Sequence, residues 1–309
     1  MRALAKFSGL LFLLFAACQD PLDPQSRVSK LRILAVRADP AELVLDADAG
    51  LPQTTLTALA VNPAGAAPTT SYALCKVLTG VPSADLPCPG SAGIDLPGAG
   101  PNAARLDFND PTLQAIAIQL SVTGGGAVDA GGIQAQLAQG IPLVIGFNST
   151  APAGGFPDGG PPGFAGGPQE LLGFTTITLR SFSARPVNQN PSIDSIQLMA
   201  VDGGSAIDLP AGNSFTLRAG QQVKLIPVPA ANAKERIDGG LETLGYSFFV
   251  TDGELSALRS ADTTATGEPS DTSVDWTAPL LPGTVQLWVV VRDGRGGVGW
   301  LQRTVQVTP

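Results

Sequence analysis

The stretch DWTAPLLPGTVQLWVVVRDGRGGVGWLQRTVQV, residues 275–307, decides the fold class. Val285, Leu287, Val289 and Val291 recur at every second position, which is the period of a β-strand. Trp288 and Val290 sit between them on the face that Gln286 and Arg292 mark, so this strand is expected to be covered on both sides. Gly294 to Gly297 then read as a turn, and VGWLQRTVQV (298–307) as a further strand. Working outward, candidate strands are IDSIQLMAV (193–201), NSFTLRA (213–219), QVKLIPV (222–228), LGYSFFVTD (244–252), ELSALRSA (254–261) and TSVDWTAP (272–279). Short strands at this spacing, separated by Gly, Pro and Asp turns, predict a β-sandwich over 190–309. Trp276, Trp288 and Trp300 all fall here. At about 150–250 Å² of surface each they are expected to supply much of its core.

Ahead of Asn190-Pro191 the same reading gives strands at LRILAVRADP (31–40), TTLTALAVNP (54–63), TTSYALCKVL (69–78), IPLVIGFNS (141–149) and FTTITLRSFSARP (174–186). PGSAGIDLPGAGP (89–101) is expected to be loop. Over NDPTLQAIAIQLSV (109–122), Asp110 as an N-cap and Pro111 behind it argue for a helix. The alternation of Ile116, Ile118, Leu120 and Val122 favours a strand from about residue 115. IQAQLAQG (133–140) reads as a short helix stopped by Gly140. The run 151–168 holds 12 Gly and Pro in 18 residues and reads as a loop inserted between two apolar strands.

DWTAP followed by GTVQLWVVVRDGRGG and a last strand resembles the end of an immunoglobulin-like or PKD-type bacterial repeat, and LRILAVRADPAEL is similar to a divergent copy. The resemblance implies an all-β chain of two tandem immunoglobulin-like sandwiches. The first, 30–187, is divergent, with long loops and a short helix; the second is 190–309. It implies an extracytoplasmic binding or spacer module and carries over no catalytic residue. Chains of this kind resemble uncharacterised envelope lipoproteins of myxobacterial type.

The N-terminus supplies the address. Arg2 and Lys6 precede an uncharged stretch from Phe7 to Ala17, too short for the roughly 20 residues of a membrane-spanning helix but suited to a cleaved signal peptide, 1–17. Leu14-Phe15-Ala16-Ala17-Cys18 resembles a bacterial lipobox, which implies a diacylglyceryl group on Cys18 and cleavage just before it. Soluble release by a cut after Ala17 is the alternative. It would put bulky Phe15 where a small residue is preferred, so lipidation is the favoured reading. CQDPLDPQSRVS, 18–29, reads as a flexible tether, with a reach of at most about 36 Å. Gln19 stands where an Asp would signal inner-membrane retention in enteric lipoproteins, which points to the outer membrane. Cys75 and Cys88 remain, and an even remainder in an exported chain predicts one disulfide.

Composition narrows the chemistry. The chain has 18 Lys+Arg against 26 Asp+Glu, a net charge of −8, and no His. Serine–histidine and cysteine–histidine nucleophile pairs are therefore excluded, and an acidic chain without basic runs argues against nucleic acid. No GxSxG, SxxK or P-loop motif occurs, and no cofactor is expected. Gly294 to Gly299 spells GxGxxG, but no acid and no room for a helix follow it, so it reads as a hairpin turn. Asp46-Ala47-Asp48 opens like a calcium loop that the next residues do not complete. Asp252, Glu254 and Asp293 are weak calcium candidates and read first as solvated turn acids. Lys234, Glu235, Arg236, Asp238 and Glu242 read as a solvent-facing loop of mixed charge.

The sequence thus predicts a non-enzymatic, lipid-anchored envelope protein. It would touch the membrane through its lipid and bind an envelope protein or glycan, and Phe156 and Phe164 in the Gly/Pro insert are candidate contact residues. A carbohydrate-binding or adhesion module is the first alternative, and would show exposed aromatics on one sandwich face. A carboxylate-dependent hydrolase is the second.

Overall fold

The computed structural model describes residues 24–46, 50–63, 65–75, 93–113, 135, 137–152, 169–181, 186–210, 215–237 and 240–309. The first half contains β1 (Arg32–Asp39), β2 (Glu42–Leu45), β3 (Gln53–Val61), β4 (Thr69–Cys75), β5 (Gly93–Asp95), β6 (Gly98–Gly100), β7 (Ala103–Asp107), β8 (Ile141–Ala151) and β9 (Gln169–Ser181). The second contains β10 (Ile193–Ala200), β11 (Ile207–Asp208), β12 (Phe215–Arg218), β13 (Gln222–Pro229), β14 (Arg236–Ile237), β15 (Gly240–Leu241), β16 (Gly245–Val250), β17 (Glu254–Leu255), β18 (Arg259–Ala261), β19 (Val274–Thr277), β20 (Gly283–Arg292) and β21 (Val298–Thr308).

Each half is a two-sheet sandwich. In the first, sheet β1-β3-β7-β6 faces sheet β2-β9-β8-β4-β5; in the second, β11-β10-β13-β19-β17 faces β12-β21-β20-β16-β18. Both repeat one device. The opening strand of each half pairs antiparallel in one sheet, and a later strand then pairs parallel with the last strand of the other sheet, as β2 does with β9 and β12 with β21. In the first half the crossing falls at Pro40, which has no N–H with which to continue the ladder. This split first strand, with the final three strands side by side, is the immunoglobulin-like arrangement.

The cores follow the alternation. Val285, Leu287, Val289 and Val291 of β20 point into the second core with Tyr246, Phe248 and Trp276. Leu43, Leu56, Leu106, Leu143, Ile145 and Ile177 fill the first. A third cluster joins the two halves: Val28, Leu34, Ala35, Leu59 and Val61 meet Phe249, Trp288, Val290, Val298 and Trp300. The second face of β20 is therefore covered by the first sandwich. This corrects the expected role of the tryptophans. Only Trp276 lies in the second core, while Trp288 and Trp300 belong to the seam, where the Arg37 guanidinium sits 4.8 Å above the Trp300 ring.

Other expectations also change. The stretch 89–101, read as loop, carries β5 and β6; Gly-Ala-Gly has no side-chain pattern to read, yet its backbone pairs with β7. The single strand expected over 254–261 is two, because the chain changes sheets between β17 and β18. Residues 111–113 are helical, with the Asp110 carboxylate accepting the Thr112 N–H at 2.8 Å, and 115–122 lies outside the described residues. Residues 137–139 are helical and end at Gly140, whose φ is +96°. The far end of the expected tether is docked: Val28 N–H donates to Val250 O and Val250 N–H to Ser26 O, Arg27 pairs with Asp252 at 2.9 Å, and Val28 is fully buried.

Candidate functional site

Polar chemistry concentrates at the seam. Glu42, on β2, binds Arg180 of β9 at 2.8 Å and accepts the Asn188 N–H at 3.1 Å. Arg295, in the β20–β21 turn, reaches Glu235 at 2.8 Å and Glu242 at 2.9 Å, with Glu42 3.9 Å away. The loop read as solvent-facing thus turns Glu235 and Glu242 inward; the sequence shows its five charges but not the buried arginine that collects these two. Asp293 Oδ1 accepts N–H bonds from Arg295 and Gly297 at 2.7 and 2.9 Å, while its Oδ2 is buried without a partner. Burial pushes the Asp293 carboxyl above the usual carboxylate range, although the Arg295 and Gly297 N–H bonds pull it down. Two glycines of the Gly294–Gly299 stretch have a reason in close packing. A Cβ on Gly297 would lie 2.0 Å from Asp293 Oδ2, and one on Gly299 2.0 Å from Pro191 O, so the connecting segment lies directly on this hairpin. The motif is a β-hairpin turn, not a dinucleotide loop.

The calcium candidates do not converge. Asp252 follows the end of β16 that pairs with Leu287, whereas Asp293 adjoins the end that pairs with Arg292. Extended rise places them about 20–25 Å apart. Asp252 is taken up by Arg27 and by the Gly253 N–H, and Glu254 is exposed. Among the described residues, no three His, Cys, Asp or Glu side chains group as a metal centre would. No described helix is long and apolar enough to cross a membrane. Asp46 and Gly50 form an isolated antiparallel bridge. Cys75 is buried at the end of β4; Cys18, Cys88, Phe156, Phe164 and Asp238 lie outside the described residues.

Among the described residues, one exposed apolar surface lies on the outer face of sheet β2-β9-β8-β4-β5, on the β8–β9 hairpin whose strands lead into and out of the Gly/Pro insert. One row across four strands runs Phe174, Gly146, Ala73, Asp95. A second runs Leu172, Asn148, Ser71. Phe174 and Leu172 are 47% and 45% exposed, unusual for large apolar side chains on this chain. Gly146 has no side chain and Ala73 a small one, and beside Asp95 the surface dips into a shallow hollow of about 100 Å³ lined by Ser71, Ala73, Asp95, Gly146 and Asn148, with Phe174 outside its lining. Strand spacing makes it roughly 14 Å from the Phe174 strand to the Asp95 strand. Asn148 Nδ2 donates to Glu170 at 2.8 Å, which fixes the amide, and its Oδ1 has no partner. Sequence reading places β8 and β9 but cannot show this row, because register across the sheet brings its members together from four separate segments. A second exposed apolar spot, Leu280 and Leu281 at 82% and 77%, caps the loop between β19 and β20.

No family model matches the chain, and no curated protein matches it. Among solved structures, it is similar to the D00-D0 domain of intimin at 10% identity and TM-score 0.24, over 91% of this chain and 99% of that one. It is similar to the Bacteroides ovatus mixed-linkage glucan utilization locus protein SGBP-B, solved with a mixed-linkage heptasaccharide, at 10% identity and TM-score 0.21, over 91% of this chain and 48% of that one. It is also similar to the C-terminal domain of the Streptococcus agalactiae AgI/II polypeptide BspA, at 10% identity and TM-score 0.20, over 89% of this chain and all of that one.

Proposed function

We propose that this chain is a non-catalytic binding or structural module of the cell envelope, anchored through a lipid on Cys18, and that it meets its partner on the outer face carrying Leu172 and Phe174. The observation that carries the reading is the pair of half-exposed apolar side chains beside a polar-walled hollow. Burying them on a partner returns the transfer free energy that exposure forfeits. The two sandwiches, 30–187 and 190–309, act as the stiff support, behind a cleaved leader at 1–17. An outer-membrane address and a Cys75–Cys88 disulfide complete the reading; burial of Cys75 at a strand end supports the latter.

A photo-crosslinking residue at position 174 in cells tests the contact face, with one at exposed Arg218 as control. The expected result is a discrete adduct from 174 alone; equal or no labelling from the two positions would remove this face. Metabolic labelling with a palmitate analogue tests the anchor. Label lost on Cys18→Ser is expected, and an unlabelled wild type would end the lipid assignment.

A further inference from the structure

We infer that Leu280 and Leu281 form a second membrane contact, seated in the leaflet that holds the Cys18 lipid, so that the second sandwich and not the first stands next to the bilayer. The inference rests on the lipid anchor proposed above. Leu280 and Leu281 are the most exposed large apolar side chains of the described residues, and exposed Val201 belongs to the same end of the second sandwich. There β10 ends at Ala200 beside Val223, β19 ends at Thr277 beside Gln222, and β20 begins at Gly283 beside Val307. The loops are tied together. Ala278 N–H donates to Gln221 O and Gly220 N–H to Pro279 O, and a Cβ on Gly220 would lie 3.2 Å from Leu280. Pro279 and Pro282 bracket the two leucines and fix φ on either side, which holds them outward at little further cost in backbone entropy.

The position of the N-terminal segment decides what covers this end. Arg27 bridges Val250 and pairs with Asp252 at 2.9 Å. The next residue, Gly253, lies against the end of β19, where a Cβ on it would be 2.5 Å from Thr277 O. Leu280 follows Thr277 by three residues, so the Arg27 site is roughly 10–15 Å from the leucines. Pro24 O accepts the Arg27 N–H at 2.8 Å, a tight turn that keeps Pro24 within about 7 Å of Arg27. Cys18 is six residues before Pro24, and six residues span at most about 20 Å. An acyl chain on Cys18 therefore draws the bilayer to this end. The first sandwich packs elsewhere, at Trp288 and Val290, with Trp288 about 17 Å along β20 from Gly283.

Charge and energetics agree with a lipid surface. The turns 201–206, 218–222 and 278–283 carry one acid, Asp202, and one base, Arg218. On a chain of net charge −8 this end is close to neutral, and headgroups meet no dense field of like charge there. Two leucines alone would hold weakly, since even one myristoyl chain is a marginal anchor. Once the lipid is inserted, they meet the bilayer at the roughly millimolar effective concentration of a short tether, which suffices to set orientation.

The test uses the lipidated chain in phosphatidylcholine–phosphatidylethanolamine vesicles, with brominated phosphatidylcholine as quencher. Leu281→Trp adds an emitter at the loop. Leu241→Trp adds one at an equally apolar, exposed site at the other end of the sandwich, in the hairpin whose neighbours Glu235 and Glu242 bind Arg295. Measured against the parent chain, bromolipid is expected to cut the added emission at 281 about twofold or more and to leave that at 241 unchanged, because an interfacial side chain sits about 5–10 Å into the headgroup–acyl boundary. Circular dichroism should be unchanged in both variants. A palmitate-labelled protein with no quenching at 281, or with equal quenching at 281 and 241, overturns the inference and leaves the anchor standing. So does a concentration-dependent dimer that Leu281→Ser dissolves, with 281 unquenched, which would assign the leucines to a second copy of the chain. A wild type without palmitate label removes the anchor and this inference together.

Discussion

Replacing Arg295 by Met is expected to be among the most damaging single changes outside the two cores. Its guanidinium is surrounded by Glu235, Glu242 and Glu42, whose side chains are at most 15% exposed. Without it, Glu42 keeps Arg180, but Glu235 and Glu242 lose the cation that lets them sit away from water. Removing one partner of a buried ion pair costs about 3–5 kcal/mol, because the charges left behind are uncompensated. For a unit of this size that corresponds to a Tm lowered by about 6–20 °C. Urea unfolding followed by circular dichroism measures it. The mechanism has its own control. With Glu235→Gln and Glu242→Gln already in place, no unpaired carboxylate remains there, and the same Arg295→Met change should cost less than half as much. A cost below about 1 kcal/mol in the wild-type background, or an equal cost in both backgrounds, would refute the reasoning.

Asp293→Asn is expected to stabilise the chain at pH 7, by on the order of 1 kcal/mol. Burial raises the folded carboxyl above its unfolded range, so the folded state holds the proton more tightly and stability falls as pH rises through that window. The wild-type Tm should therefore decline between acid and neutral pH relative to the Asn variant, and a variant less stable than wild type at pH 7 would contradict this. Gly299→Ala should destabilise by about 1–3 kcal/mol, since its Cβ would overlap Pro191 O, and limited proteolysis should then cut sooner in the connecting segment. Gly173→Ala should cost a similar amount, because the Phe147 ring lies over that glycine; a neutral result in a melting experiment would show the ring free to move. Phe174→Ala should change stability by no more than about 0.5 kcal/mol in the same melt, as expected of an exposed side chain.

What the sequence reveals depends on where each cause lies. The alternation in β20 announces burial on both faces, and the strands around it follow from the same period of two. The covering of its second face is invisible, because nothing in TVQLWVVVRD distinguishes a sheet packed on its own partner from one packed on another sandwich. For that reason the sequence leads Trp288 and Trp300 to be expected in a core. Glu235 and Glu242 look like surface acids until Arg295, more than 50 residues later, is folded against them. The acids Asp252 and Asp293 both flank strand ends, but only strand direction shows that the ends are opposite ones. The Phe174–Gly146–Ala73–Asp95 row likewise exists only in register, since each segment alone reads as an ordinary strand.

The clip formed by Ser26 and Val28 on Val250 gives the molecule a cross-brace. Chain order runs from the N-terminal segment into the first sandwich and then the second, yet that segment grips the second before entering the first. A force applied at the N-terminus is therefore shared by two routes. Peeling Val28 away from β16 must come before the sandwiches can be drawn apart in series, so single-molecule pulling from that end should show an early, separate rupture that disappears when Val28 is replaced by Asp.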